Sequence, residues 1–198
     1  MFSIPLGDGA ELQNLEPWQS EEFRAHVERA REYAGPWVPF TVTVTDTGTA
    51  RTFLQNYADK QAADTGRLHG IRLDGTLVGG VLFRIFDTQN EYCEVGVWLE
   101  PSAAGRGLIT KAVTHLIDWA VDERGMHRVE WLASSANHRS IGVAKRLGFT
   151  LDGVLRESFP WQGVRHDMEV WSVLAPEWRE RRAAGRDDHR TARADGSS

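Results

Sequence analysis

Val95-Gly96-Val97-Trp98-Leu99-Glu100-Pro101-Ser102-Ala103-Ala104-Gly105-Arg106-Gly107-Leu108-Ile109-Thr110 begins as a strand, turns small and glycine-bearing, and then starts a helix. The helix reads over 108–123, with Ile109, Val113, Leu116, Ile117 and Ala120 at helical spacing. Gly105 and Gly107 allow tight backbone curvature where the helix begins. Several free amide hydrogens therefore converge at a positive helix end, which is a cradle for a pyrophosphate. Arg106 adds a charge, although amides alone suffice. A lone G-x-G also occurs as a strand-to-helix turn that serves only the fold, so the surrounding sequence must decide.

Upstream, Phe23, Val27, Ala30 and Ala34 predict a helix over 17–34 that Pro36 and Pro39 stop. A second helix is expected over 48–63, capped by Asp46 or Thr47 and ended by Gly66. Residues 69–73 and 77–86 flank Asp74-Gly75 and read as an antiparallel hairpin, followed by a strand over 91–99. Downstream, Gly125 caps the 108–123 helix and a strand follows over 127–133. A short helix over 137–147 ends at Gly148, and two further strands fit 149–155 and 168–174. Strands followed by helix-linked strands imply an α/β (mixed α+β) domain whose sheet has its parallel portion at the glycine-bearing crossover. The domain is read over 1–178. Beyond Trp178 the chain is arginine-rich and lacks large apolar residues, so 179–198 is expected to be a disordered polar tail.

A length of 198 residues supports one substantial core. With 41% hydrophobic and 26% charged residues, the composition is that of a globular protein, and no apolar run is long enough to span a bilayer. A net charge of -5 argues against a nucleic-acid partner. Residues 1–9 lack the pattern of a secretory signal and Cys93 is the only cysteine, which together point to the cytoplasm. His, Cys and carboxylate spacings fit no metal site.

After the strand over 127–133, Asn137-His138-Arg139-Ser140 opens a helix that closes on Lys145-Arg146-Leu147-Gly148-Phe149. Here the chain resembles the GNAT acetyltransferases. Gly105-Arg106-Gly107 is similar to the end of their Q/R-x-x-G-x-G/A acyl-CoA loop, and Asn137-x-x-Ser140 with Leu147-Gly148-Phe149 resembles the RimJ/RimL signature. The likeness continues through Asp152-Gly153-Val154-Leu155-Arg156-Glu157 and the Gly163 to Asp167 turn, and includes Trp37-Val38-Pro39. There are two departures. Ser102 stands at the loop's first position, where the family has Gln or Arg, and Phe159 stands where a gapless count puts the glutamate that serves RimL-type enzymes as base.

The resemblance implies a mixed, mostly antiparallel sheet with a central, splayed parallel strand pair flanked by helices. It implies acetyl-CoA as cosubstrate, with pantetheine between the splayed strands on the backbone of Val97, Trp98 and Leu99 and pyrophosphate on Gly105, Arg106, Gly107, Leu108, Ile109 and Thr110. Asn137 would hold the cofactor and Ser140 would donate a hydrogen bond to the leaving thiolate. The competing reading makes Asn137 a helix N-cap and Ser140 a first-turn residue. For the base, Glu94, Glu91, Glu130, Glu157 and water-mediated proton removal stay open, and Glu94 alternates with Gly96 and Trp98 on one strand face. Cys93 reads as a buried apolar residue rather than an acyl carrier, and His138 as a solvated side chain. Trp37 and Trp161 lie in loops where an acceptor could stack, while Trp171 reads as core.

The leading function is acetyl transfer to a primary amine, with the N-terminal amine of a ribosomal protein suggested by the RimJ/RimL resemblance. The alternatives are a small-molecule amine such as an antibiotic or polyamine, and a non-catalytic acyl-CoA-binding module. A homodimer is a further expectation from the resemblance.

Overall fold

The computed structural model describes residues 3–195. One eight-stranded sheet runs through the molecule in the order β1-β2-β3-β4-β5-β6-β8-β7. Its strands are β1 (Ser3–Gly7), β2 (Ala10–Asn14), β3 (Arg67–Leu73), β4 (Thr76–Asp87), β5 (Tyr92–Leu99), β6 (Arg128–Ser134), β7 (Thr150–Trp161) and β8 (Val164–Leu174). Only β5 and β6 pair in parallel; the other neighbours are antiparallel.

Side-chain alternation divides the sheet between two cores. Helices α1 (Ser20–Ala34) and α3 (Thr47–Ala62) cover one face, where Phe23, Val27 and Leu54 meet Leu82 and Trp98. The short helix α2 (Phe40–Thr43) lies between them in sequence. On the other face, α4 (Leu108–Asp118) and α5 (His138–Leu147) pack Val113, Ile117 and Ala144 against Val81, Val95 and Val129. Asp46 caps α3: its carboxylate accepts the Thr49 amide hydrogen at 2.7 Å while the Thr49 hydroxyl oxygen accepts the Asp46 amide hydrogen at 3.0 Å. Asp74 and Gly75 take φ values of 49° and 79°, the left-handed pair that a two-residue hairpin turn needs.

The chain departs from its sequence reading in four places. A hairpin, β1–β2, precedes the first helix and adds to β3. The helix read over 108–123 is α-helical only to Asp118 and finishes in a wider π-turn over Trp119–Glu123. Strand β8 starts at Val164, so the segment read as a turn up to Asp167 is mostly strand and the turn tightens to Gln162 and Gly163. Finally, α6 (Ala175–Asp195) crosses the domain boundary read at Trp178. Its start is fixed by burial of Ala175 and Trp178 in the core, with two ion pairs beside them: Arg182 holds Asp118 at 2.9 Å, and Arg179 holds Asp122 at 3.0 Å. The last residues of the expected tail, 196–198, lie outside the described residues.

Candidate active site

Parallel pairing between β5 and β6 stops at Val95 opposite Trp131. Past that rung, Gly96 to Leu99 have no β6 partner, so the strand offers backbone donors and acceptors to a ligand on that side. At the end of β5 the chain passes through a short 3-10 turn, Pro101–Ala103, into Gly105 and Gly107, whose φ values are 80° and 70°. Gly107 is the N-cap of α4, and its carbonyl accepts the Lys111 amide hydrogen. The amides of Leu108, Ile109 and Thr110 therefore have no partner within the helix. A Cβ added at Gly105 or Gly107 would meet no protein atom within 4 Å, so both positions face open space.

That space is a cleft of about 660 Å³ between α1, α4, α5 and the free end of β5. Val97, Trp98, Leu99, Gly105, Gly107, Leu108, Ile109, Thr110, Asn137 and Ser140 all border it. Arg106 is exposed and does not border it. The cleft's size, its amide-lined end and the unpaired strand fit an extended acyl-CoA. Ser102, at the departing position of the loop, turns inward and donates to Glu100 Oε2 at 3.4 Å.

Glu100 belongs to a buried network that fixes the loop. His26, fully buried on α1, places Nδ1 2.6 Å from Glu100 Oε1, and Trp98 Nε1 donates to His26 Nε2 at 2.8 Å. An indole nitrogen only donates, so Nε2 is the accepting nitrogen and the ring proton sits on Nδ1 toward the carboxylate. Arg29 adds a hydrogen bond to Glu100 at 3.0 Å and another to the Leu77 carbonyl at 2.9 Å. Burial raises the Glu100 pKa, but the bonds from His26 and Arg29 outweigh it and hold the carboxyl below the usual range. Gly80 makes room for this arrangement, because any side chain there would collide with the Trp98 ring.

Asn137 caps α5, its Oδ1 accepting the Ser140 amide hydrogen at 3.2 Å. Its side-chain NH2 is not used in that bond. The Ser140 hydroxyl oxygen accepts a hydrogen bond from Trp131 Nε1 at 2.9 Å. Beyond Ser140 a second cavity of about 310 Å³ opens, bordered by Trp37, Tyr57, Arg84, Trp131, Phe159 and His166 among others. The two cavities share Trp37, Val38, Val97, Trp98, Asn137 and Ser140.

The glutamates read as base candidates do not border this second cavity. Both oxygens of Glu94 are held by the Arg84 guanidinium, Oε1 at 2.5 Å from Arg84 Nε and Oε2 by the terminal nitrogen. It does share the Trp98 face of β5, but Arg84 stands in front of it. Glu130 is occupied by Arg128 and by the Tyr92 hydroxyl, Glu91 lies in the turn at the opposite end of β5, and Glu157 is exposed. Cys93 is fully buried, and burial together with the Glu130 charge pushes its thiol pKa well up. His138 borders the cofactor cleft. Trp37 borders both cavities, Trp161 ties β7 to the α1–α2 loop through a 2.9 Å bond to the Gly35 carbonyl, and Trp171 is core.

Sequence reading missed Trp131, Tyr57, Arg84 and His166 as site residues. Alternation along β6 from Trp131 to Ala133 was the one local signal for the first of these; the others are brought in by the fold. Among the described residues no three His, Cys, Asp or Glu side chains group to hold a metal, and no helix is long and apolar enough to cross a membrane.

The model of the acetyltransferase (GNAT) domain matches residues 13–150. The "Putative ribosomal N-acetyltransferase YdaF" of Bacillus subtilis (strain 168) is 28% identical over 183 residues, which cover 90% of this chain and 98% of that protein. A solved "Probable acetyltransferase" superposes with a TM-score of 0.84 at 28% identity, covering 90% of this chain and 99% of that one. RimL, a ribosomal L7/L12 alpha-N-protein acetyltransferase in complex with coenzyme A, shares the fold with a TM-score of 0.83 at 19% identity, covering 87% and 98%. A glycine loop at a free helix end, a parallel pair that parts after Val95 and a family match over most of the chain converge: the protein belongs to the GNAT acetyltransferases.

Proposed function

We propose that the protein transfers the acetyl group of acetyl-CoA to a primary amine seated in the 310 Å³ cavity, the N-terminal amine of a ribosomal protein being the leading acceptor. The observation that carries this is the continuity of the cleft: one end meets the amides of α4, and the other meets the aromatic cavity at Ser140. Pantetheine would lie along Val97 to Leu99, pyrophosphate on the loop from Gly105 through Thr110, and Asn137 would hold the cofactor beside Ser140. The name of the Bacillus relative, a ribosomal N-acetyltransferase, supports a protein acceptor.

In the reaction the amine nitrogen attacks the thioester carbonyl, a tetrahedral oxyanion forms, and the C–S bond breaks. Ser140 would act in the last step. Its oxygen accepts from Trp131, so its own hydrogen is free to meet the sulfur as charge develops there. The proposed setting is the cytoplasm, with neither nucleic acid nor membrane as partner. Leu151, Val154 and Leu155, exposed on edge strand β7, support a homodimer.

Thiol release from acetyl-CoA in the presence of an amine panel tests the reading. Peptides with free N-termini should turn over faster than polyamines or aminoglycosides. Tight acetyl-CoA binding without product from any amine would reduce the protein to a binding module.

A further inference from the structure

The second cavity contains a group suited to receive the acceptor's proton. Three titratable side chains border it: Tyr57, Arg84 and His166. Arg84 is a permanent cation engaged with Glu94. Tyr57 keeps its proton, because burial pushes its pKa up to about 12. That leaves His166, on β8, as the imidazole that can accept a proton in this cavity.

Its surroundings fix the ring. Nδ1 lies 3.4 Å from Ser134 Oγ, at the end of β6. Trp37 from the α1–α2 loop meets the ring edge-on at 6.3 Å, and Phe159, its cross-strand partner on β7, lies tilted at 6.2 Å. Among the described residues Nε2 has no hydrogen-bond partner. With the ring proton on Nδ1, donated to Ser134, the Nε2 lone pair is the available one. Arg165 and Asp167, its neighbours on β8, point to the opposite face of the strand by alternation, and Asp167 is taken by the Glu157 amide at 2.7 Å. Across the cavity, the Arg84 and Glu94 charges offset each other.

We infer that His166 is the general base of this site, oriented by Ser134 and taking a proton from the acceptor ammonium before the amine attacks. The inference rests on the acetyl-transfer reading above. The steps balance as follows. Nε2 takes one proton from R–NH3+, giving an imidazolium and a neutral amine, and the imidazolium later releases that proton to solvent. The amine forms the C–N bond. As the tetrahedral intermediate collapses, the C–S bond breaks, and the second nitrogen proton replaces the one that Ser140 gives to the thiolate. The products are the amide, CoA thiol and one proton.

The test compares wild type, His166→Gln, His166→Ala and Ser134→Ala as full chains, with thiol release measured from about pH 5.5 to 9.5. The acceptors are an N-terminal peptide and methoxyamine, whose weakly basic nitrogen is already neutral at pH 7. For the peptide, His166→Gln should lower kcat/KM by ~10²- to 10⁴-fold at neutral pH and abolish the acid limb of the profile. Its deficit should shrink with methoxyamine and toward high pH, and acetyl-CoA affinity should hold. Ser134→Ala should show a smaller loss of the same pH-dependent form, and added imidazole should partly restore His166→Ala. An equal deficit with both nucleophiles at every pH, or wild-type rates in His166→Gln, would overturn the base while leaving acetyl transfer intact. Absence of thiol release from wild type with every amine would overturn both.

Discussion

Trp131 donates its indole hydrogen to the Ser140 hydroxyl oxygen at 2.9 Å, which leaves the serine's own hydrogen to point elsewhere. The neutral thioester sulfur is a poor acceptor and the leaving thiolate a good one, so in the role proposed for Ser140 this hydrogen would act mainly in the transition state. Ser140→Ala is expected to lower turnover on the order of tenfold to a thousandfold, with little change in acetyl-CoA affinity. Trp131→Phe should give a smaller loss by freeing the hydroxyl to rotate. Steady-state kinetics and a CoA titration on one preparation measure both; unchanged turnover with intact binding would remove Ser140 from the reaction.

Gly107 offers a second test. A side chain there meets no protein atom, so packing does not oppose it, but a φ of 70° strains any other residue. Gly107→Val should cost roughly 1–2 kcal/mol of stability and weaken CoA binding by on the order of tenfold or more, over 1.4 kcal/mol. Melting curves with and without CoA separate the two effects. Equal losses in each would mean that the loop serves folding alone.

The Trp98–His26–Glu100 chain should behave as a unit. His26→Ala strands a buried indole N–H and removes a partner from a carboxylate that is 6% exposed on its side chain, which should cost about 2–4 kcal/mol. Glu100 has a folded pKa below its unfolded value, so its contribution is present above the ordinary carboxyl pKa and is lost as pH falls through the lower folded value. Acid unfolding of Glu100→Gln should accordingly be shallower than that of wild type. Parallel acid transitions would contradict this assignment.

His69 predicts pH dependence in a higher window. Its ring borders a cavity beside His115, but Nδ1 is sealed from solvent and has no partner among the described residues. Burial, then the Arg67 charge, depress its pKa to about 4. An unfolded histidine takes its proton near 6.5, so between these values the unfolded state holds more protons and stability falls as pH drops. Denaturant midpoints should decline from about pH 6.5 toward about pH 4. His69→Gln should remove that part of the decline, and an unchanged slope would exclude His69 as its source.

Truncation after Trp178 removes Arg179 and Arg182 while keeping the buried tryptophan. Both ion pairs are partly solvated, so the loss should be about 1 kcal/mol or less, with turnover unchanged. A melting shift of many degrees would show that α6 contributes more than its pairs.

What was legible in the sequence is what local chemistry encodes. The run from Val95 to Thr110 carries its own strand, turn and helix start, and Asn137 through Gly148 carries both caps of α5. The β1–β2 hairpin was not legible because only Leu6, Ala10 and Leu12 are buried along it, too few to set a period. The start of β8 was missed because Arg165-His166-Asp167 is polar on both faces of a hairpin that is largely exposed. The cavity's walls escaped for a different reason. Trp37, Tyr57, Arg84, Trp131 and His166 come from five separate elements, and their meeting depends on strand order, which no local pattern contains.

The two cavities adjoin along a common lining that includes Ser140, so CoA and acceptor would each occupy a cavity of its own. Neither substrate then has to cross the other's path. Both would be present together when the bond exchanges, with no acetylated enzyme between two half-reactions. Initial-rate lines at varied acceptor should therefore intersect, and CoA should act as a competitor of acetyl-CoA without excluding the amine.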